Sequence, residues 1–232
     1  MARKIIKRIA QLGGLDFQRY NKSRTEYRRL FKKYKEFTMI PEELFISNLE
    51  LCSRVLSIDG DIVECGVWRG GMSAAITELA GAGREIHLFD SFEGLPPAKE
   101  IDGKDALRWQ LDTTSAGYFN NCMADESFAI TAMQKTGHSN YRLWRGWFAE
   151  TIPNYDGNKI AILRLDGDWY DSIKTCLNGL FPKVVDGGLV ILDDYYTWEG
   201  CTKAVHDYLS ESQSPSRIFQ WNNQVAFIVK KS

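Results

Sequence analysis

"RIFQWNNQVAFIVKK", residues 217–231, decides the fold. Two apolar runs, "RIFQW" and "QVAFIVKK", are separated only by Asn222 and Asn223. Asparagine tolerates the left-handed backbone that a tight two-residue turn needs. The two runs therefore predict a β-hairpin, and a hairpin makes its strands antiparallel. Whatever sheet the rest of the chain builds ends on a reversed strand.

Working back from the hairpin, short apolar runs alternate with helical patterns. "DIVECG" reads as strand one and "EIHLFD" as strand two. "NYRLWRG", "KIAILRLD" and "GGLVILDD" are strands three to five. "MSAAITELAGAG" is a helix ended by glycines, a helix near 124–136 precedes strand three, and "YDSIKTCLNGLF" and "CTKAVHDYLSES" follow strands four and five. Strands alternating with helices imply a parallel sheet covered on both faces. The expected fold is α/β: a seven-stranded, mostly parallel sheet with an antiparallel final strand, plus N-terminal helices. That layout resembles the Rossmann-like class I methyltransferases.

Before strand one the texture is helical. "SRTEYRRLFKKYKEF" spaces Tyr27, Leu30, Phe31 and Tyr34 along one helix face, within a helical stretch expected over 1–36. A second helix starts at Pro41. The division is a helical arm over 1–58 and a Rossmann-like domain over 59–232; the likeness to class I methyltransferases implies S-adenosylmethionine for the domain and a cofactor-covering segment at the end of the arm. The net charge of −1 hides an asymmetry: residues 1–40 carry twelve Lys and Arg against three Asp and Glu. Such an arm either meets an anionic partner or packs its basic face on the acidic body. No zinc-finger, RNP or helix-turn-helix pattern supports nucleic acid. No apolar run is long enough to cross a bilayer, and charges break the stretch after the basic start, so a secretory signal is not expected and the cytoplasm is. Five scattered cysteines without a CxxC pair suit buried thiols in a reducing compartment.

In open parallel sheets, ligands bind beyond the carboxyl ends of the strands. Those ends carry carboxylates here: Glu64 after strand one, Asp90 after strand two, Asp166 and Asp168 after strand four, Asp193 and Asp194 after strand five. Gly66, Gly70 and Gly71 sit at the first strand-to-helix turn. Asp90 stands near the spacing at which a strand-two acid takes ribose hydroxyls. The glycines read GxxxGG rather than GxGxxG, which disfavours a pyrophosphate loop and leaves a nucleoside without phosphate. The carboxylates of strands four and five suit octahedral magnesium. With three histidines and no ligand-like His motif, zinc does not fit.

"GDIVECGVWRGGMS", "LFDSFEGLP", "RGWFAETIP", "LRLDGDWYDS" and "LDDYYTWEGCTKAV" together closely resemble the macrocin O-methyltransferase family, which methylates sugar hydroxyls of macrolides and aminocoumarins. The resemblance spans about residues 38–210. It implies S-adenosylmethionine and Mg2+ as cofactors. Glu64, Cys65, Gly66, Val67 and Trp68 would line the methionine and ribose, with Ser73 on the same side. Asp90, Ser91 and Phe92 would meet ribose and adenine, and Trp147 and Phe148 would flank the adenine. Thr38 and Met39 would close over the cofactor. Asp166, Asp193 and Asp194 would ligate magnesium, and Asp168, or else Asp166, would be the general base. The acceptor would be a small molecule or glycoside with a vicinal diol. Residues 98–123 and the final strands depart from the family, so a macrolide acceptor does not carry over. Two other readings compete: a glycosyltransferase using "DGD" at 166–168 as a DxD motif, and a non-catalytic binding protein with this fold. The long stretch 96–123 reads as irregular and as a cover over the acceptor, with Trp109, Tyr118 and Phe119 supplying apolar contact. The N-terminal helices would complete that cover or pair two subunits into a homodimer.

Overall fold

The computed structural model describes residues 17–115, 117–157 and 159–231, with side chains from residue 24 onward. The first part of the expected helix over 1–36 lies outside the described residues. The rest of it is α1 (Phe17–Tyr34), followed by α2 (Glu42–Ser53), which Pro41 precedes as the cap. Then come β1 (Asp61–Cys65), α3 (Gly71–Ala80), β2 (Ile86–Asp90), α4 (Lys104–Leu111), α5 (Glu126–Gln134) and β3 (Tyr141–Arg145). The one-turn α6 (Phe148–Thr151), β4 (Ile160–Leu165), α7 (Tyr170–Leu180), β5 (Val184–Leu192), α8 (Glu199–Glu211), β6 (Arg217–Trp221) and β7 (Val225–Val229) complete the chain.

The strands form one seven-stranded sheet in the order β3-β2-β1-β4-β5-β7-β6. β1 to β5 pair in parallel, and β7 is antiparallel to both β5 and β6. The hairpin forms as expected, with one difference. Gln224 belongs to the turn: its N–H donates to Trp221 O at 3.0 Å, and Trp221 pairs with Val225. Asn222 and Asn223 take φ of 50° and 56°, the left-handed pair a primed turn uses.

Alternate residues feed two cores, as the period of a strand requires. Ile62, Leu189 and Ile191 face α1, α2, α3 and α5; Val63, Val190 and Leu192 face α7 and α8. Tyr27, Leu30, Phe31 and Tyr34 of α1 belong to the first core, so the arm is seated on its own body. Its basic residues meet acids there: Arg24 pairs with Glu43 and Glu50, Arg28 with Glu42 and Glu43, and Lys33 with Glu78. Glu50 of α2 also accepts Trp221 Nε1–H at 3.0 Å and Asn222 Nδ2–H at 2.9 Å, tying the helices to the hairpin.

The stretch 96–123 is more ordered than expected. It holds a 3-10 turn (Glu100–Asp102), α4, and a second turn (Phe119–Cys122) whose four residues have φ between 45° and 59°. Asn121 clamps this segment: Leu95 N–H donates to its O at 3.0 Å, its Nδ2–H donates to Leu95 O at 2.8 Å, and Gln110 Nε2–H donates to its Oδ1 at 3.0 Å. In the mostly polar "KDALRWQL" only Ala106 is fully buried, so the helix left little apolar periodicity to read.

Candidate active site

The sheet order reverses between β1 and β4, and a cavity of about 510 Å³ opens beyond those strand ends. Glu64, Gly66, Val67, Trp68, Asp90 and Ser91 line one side. Asp166, Asp168, Asp193 and Asp194 line another, and Thr38, Met39, Trp147 and Phe148 complete it. Three of the anticipated residues stand behind this wall. Cys65 is buried in the core under α7; Ser73 Oγ–H donates to Glu64 Oε2; Phe92 packs in the core under α3.

The glycines of the first turn are set by the protein itself. A Cβ on Gly66, whose φ is 86°, would lie 1.7 Å from Asp166 O, because β1 and β4 end almost in contact. A Cβ on Gly71 would meet Phe37 O at 2.6 Å, so the segment through Thr38 and Met39 lies directly on the start of α3.

Asp90 accepts three backbone N–H groups: Val67 and Trp68 on Oδ2 at 2.7 and 2.8 Å, and Phe92 on Oδ1 at 2.7 Å. A carboxylate offers about four such sites, so Oδ1 keeps one for a hydroxyl. Burial raises the Asp90 pKa, and those three bonds oppose the rise. Trp68 Nε1 is buried without a partner.

The sequence reading passed over Arg164. It lies in β4 opposite Glu64 of β1, on the sheet face under α2, and is 1% exposed. Its Nη1 donates to Glu64 Oε1 at 2.7 Å and to Asp166 Oδ2 at 2.8 Å, and its Nε to Asn48 Oδ1 at 3.2 Å. Its Nη2 lies 2.5 Å from Asp193 Oδ1 as an ion pair off the hydrogen-bonding direction, which leaves that buried oxygen without a hydrogen bond. Burial works against the Arg164 charge, but Asp193, Asp166 and Glu64 outweigh it and raise its pKa. A charge inside an apolar strand is tolerated only when paired, so "IAILRL" held the signal.

One arginine does not neutralise this cleft. Asp166, Asp168 and Asp194 bring carboxylate oxygens within 4.8 Å of one another. The Asp168 N–H donates to Asp194 Oδ2 at 3.0 Å, and Trp198 Nε1–H donates to Asp168 Oδ1 at 2.8 Å. Burial and then the Asp166 charge push Asp168 up to about 8, while Trp198 opposes. Burial raises Asp193 to about 6 and Glu64 to about 7, with Arg164 opposing in both; burial and Asp168 raise Asp194 well above the usual range. The convergent, all-oxygen donor set of Asp166, Asp168 and Asp194, with surplus negative charge, fits a hard divalent cation, while Asp193 is answered by Arg164.

The profile of the macrocin-O-methyltransferase (TylF) family matches residues 18–230. The chain belongs to the macrocin O-methyltransferase family. Two relatives are about one-third identical to it over the aligned stretch. The 8-demethyl-8-(2,3-dimethoxy-alpha-L-rhamnosyl)-tetracenomycin-C 4'-O-methyltransferase of Streptomyces olivaceus is 32% identical over 70% of this chain. The demethyldecarbamoylnovobiocin O-methyltransferase of Streptomyces niveus is 34% identical over 66% of it. The chain spans 64% and 59% of their respective lengths. The solved structure of the O-methyltransferase NovP superimposes with a TM-score of 0.71 at 27% identity, over 84% of this chain and 83% of that one. The macrocin family and this fold replace the DxD glycosyltransferase reading, since "DGD" here belongs to the carboxylate cluster beside β1.

Proposed function

We propose that this protein transfers a methyl group from S-adenosylmethionine to a hydroxyl of a glycoside, with magnesium as the resident cation. The observation that carries the reading is one cavity that joins Asp90, with a lone pair to spare, to a surplus of buried carboxylates. When bound, S-adenosylmethionine supplies an activated methyl, and magnesium supplies the charge that lowers the pKa of an acceptor hydroxyl. The chain's part is binding, orientation and proton removal. Asp90 and Ser91 take the nucleoside, Trp147 and Phe148 flank its base, and Glu64, Gly66, Val67 and Trp68 take the rest. Asp166, Asp193 and Asp194 would hold the cation, with Arg164 paired to Asp193 behind them. Asp168, fixed by Trp198, takes the proton of the acceptor hydroxyl. Much of the acceleration comes from alignment.

A sugar carrying a vicinal diol suits this arrangement, because two neighbouring oxygens can meet one cation. The activities for which the two relatives are named support an acceptor of this kind. Five unpaired cysteines support a place in the reducing cytoplasm, and no described helix is long and apolar enough to cross a membrane. The test is methyl transfer to a panel of glycosides, beginning with methyl α-L-rhamnoside, with and without chelator. Chelator is expected to abolish transfer and magnesium to restore it. Full activity in excess EDTA removes the cation from the mechanism. Absence of S-adenosylhomocysteine binding by calorimetry overturns the whole reading.

A further inference from the structure

An indole holds the proposed base. Trp198, the residue that precedes α8, donates Nε1–H to Asp168 Oδ1 at 2.8 Å. Asp168 itself sits at φ 56°, a left-handed conformation that is uncommon outside glycine and that aspartate adopts more readily than most residues. Its backbone N–H is spent on Asp194. The hydrogen bond from Trp198 is then what sets the side chain's direction.

Trp198 is in turn held by Trp169 and by the stretch 96–123, which the sequence reading expects to cover the acceptor. Its ring packs edge-on against Trp169 at 5.2 Å and Trp109 at 5.8 Å, and those two rings meet at 6.2 Å. Trp169 Nε1–H donates to Pro96 O at 2.9 Å, at the start of the covering stretch. Trp109, on α4, donates Nε1–H to Gly117 O at 2.9 Å, near its end. Three indoles thus connect both ends of the cover to one oxygen of Asp168.

We propose that Trp198 is a positioning residue that aims Asp168 at the acceptor hydroxyl, and that Trp109 keeps it in that position, so that cover and base move as one unit. The proposal rests on the functional reading above, and its first test needs neither acceptor nor cofactor. The chain has seven tryptophans, so the indole N–H region of a 15N spectrum of the metal-free protein holds seven signals at most. The signal lost in Trp198→Phe identifies Trp198. In Asp168→Ala that signal is expected to move upfield and its solvent exchange to quicken roughly tenfold or more, in line with the loss of a bond to a charged acceptor. Trp109→Leu is expected to quicken the same exchange. An unmoved signal in Asp168→Ala overturns the contact, and an unmoved exchange in Trp109→Leu overturns the link to the cover.

The second arm is kinetic, with methyl α-L-rhamnoside as acceptor. Trp198→Phe keeps a ring but loses the donor; kcat is expected to fall roughly 10- to 100-fold with the S-adenosylmethionine KM unchanged. Trp198→His puts an N–H back at a matching ring position and is expected to recover part of the loss, and it also serves if Trp198→Phe does not fold. Wild-type kcat in Trp198→Phe overturns the positioning role. A wild type that methylates no glycoside in the panel overturns the functional reading instead, and the indole signal still decides the contact.

Discussion

At the C-terminal ends of the strands, Asp166, Asp168 and Asp194 gather their ligating atoms within 4.8 Å, and at the opposite ends Asp61, Glu85 and His87 do the same. The two trios differ in what surrounds them. In the lower one, Tyr155 O–H donates to Asp61 at 2.8 Å, and Trp144 Nε1–H donates to His87 Nδ1 at 3.1 Å. That second bond fixes the proton of the neutral imidazole on Nε2, which faces Asp61 at 3.6 Å and Glu85 at 3.5 Å. A nitrogen that carries a proton cannot ligate a cation. Arg84 and Lys159 line the adjoining cleft as well. In the upper trio no imidazole proton points inward, burial drives Asp168 and Asp194 toward protonation, and Arg164 answers only part of the charge. Proximity of acids alone does not make a metal site; unanswered charge beside open space does.

The sharpest break of that comparison is a pair of variants. Asp166→Asn is expected to lower methyl transfer by several orders of magnitude while S-adenosylhomocysteine binding survives; Asp61→Asn is expected to leave transfer near wild type. Equal losses in both would erase the distinction between the two ends. Next in size is Arg164→Met, which leaves Glu64, Asp166 and Asp193 buried without their positive partner. It should cost about 3–5 kcal/mol in urea denaturation, the range for breaking a buried ion pair. Wild-type stability in that variant means the acids are neutral before the arginine is lost. Asp90→Ala should weaken S-adenosylmethionine by about 1.5–3 kcal/mol in calorimetry, as for hydrogen bonds to a charged group. Unchanged affinity would leave Asp90 as a brace for the turn at Val67 and Trp68.

The smallest effect concerns pH. Glu64, Asp193 and Asp168 stand at about 7, 6 and 8 in the metal-free fold, above their unfolded values. Across that interval the folded state keeps protons that the unfolded chain has released. Stability from these groups is therefore full below about pH 4 and is lost as pH rises through about 6 to about 8. The Tm of chelator-treated protein should fall between about pH 5.5 and about pH 8, and magnesium should raise it more at the upper value, where it competes with fewer protons. A Tm that climbs with pH would contradict the raised values.

Much of this was legible in the sequence because each strand is a short apolar run closed by a polar residue. "DIVECG", "EIHLFD" and "KIAILRLD" match β1, β2 and β4 to within one residue at each end. Asp90, Asp166, Asp168, Asp193 and Asp194 were found by position alone, since a strand end in this topology faces the ligand crevice. Arg164 was passed over because an arginine inside an apolar run is read as part of the run, and two of its partners are 100 residues away at Glu64 and 116 at Asn48. Trp198 escaped for a related reason: its role depends on Asp168, 30 residues earlier, across a strand pair. Helix α4 was hidden by composition, since it is held by Trp109 and Gln110 reaching other loop segments rather than by an apolar stripe.

The bonds from Trp221 and Asn222 to Glu50 join residues 171 and 172 positions apart. A ribosome adding about 5–20 residues per second needs roughly 10–30 s to cover that distance. Through that interval α1 and α2 have emerged, with Tyr27, Leu30, Phe31, Phe45 and Ile46 bound for a core that Ile191 and Val225 help to close. The first described helices thus wait for the last described strands, and during synthesis an apolar surface stands open that the folded molecule buries.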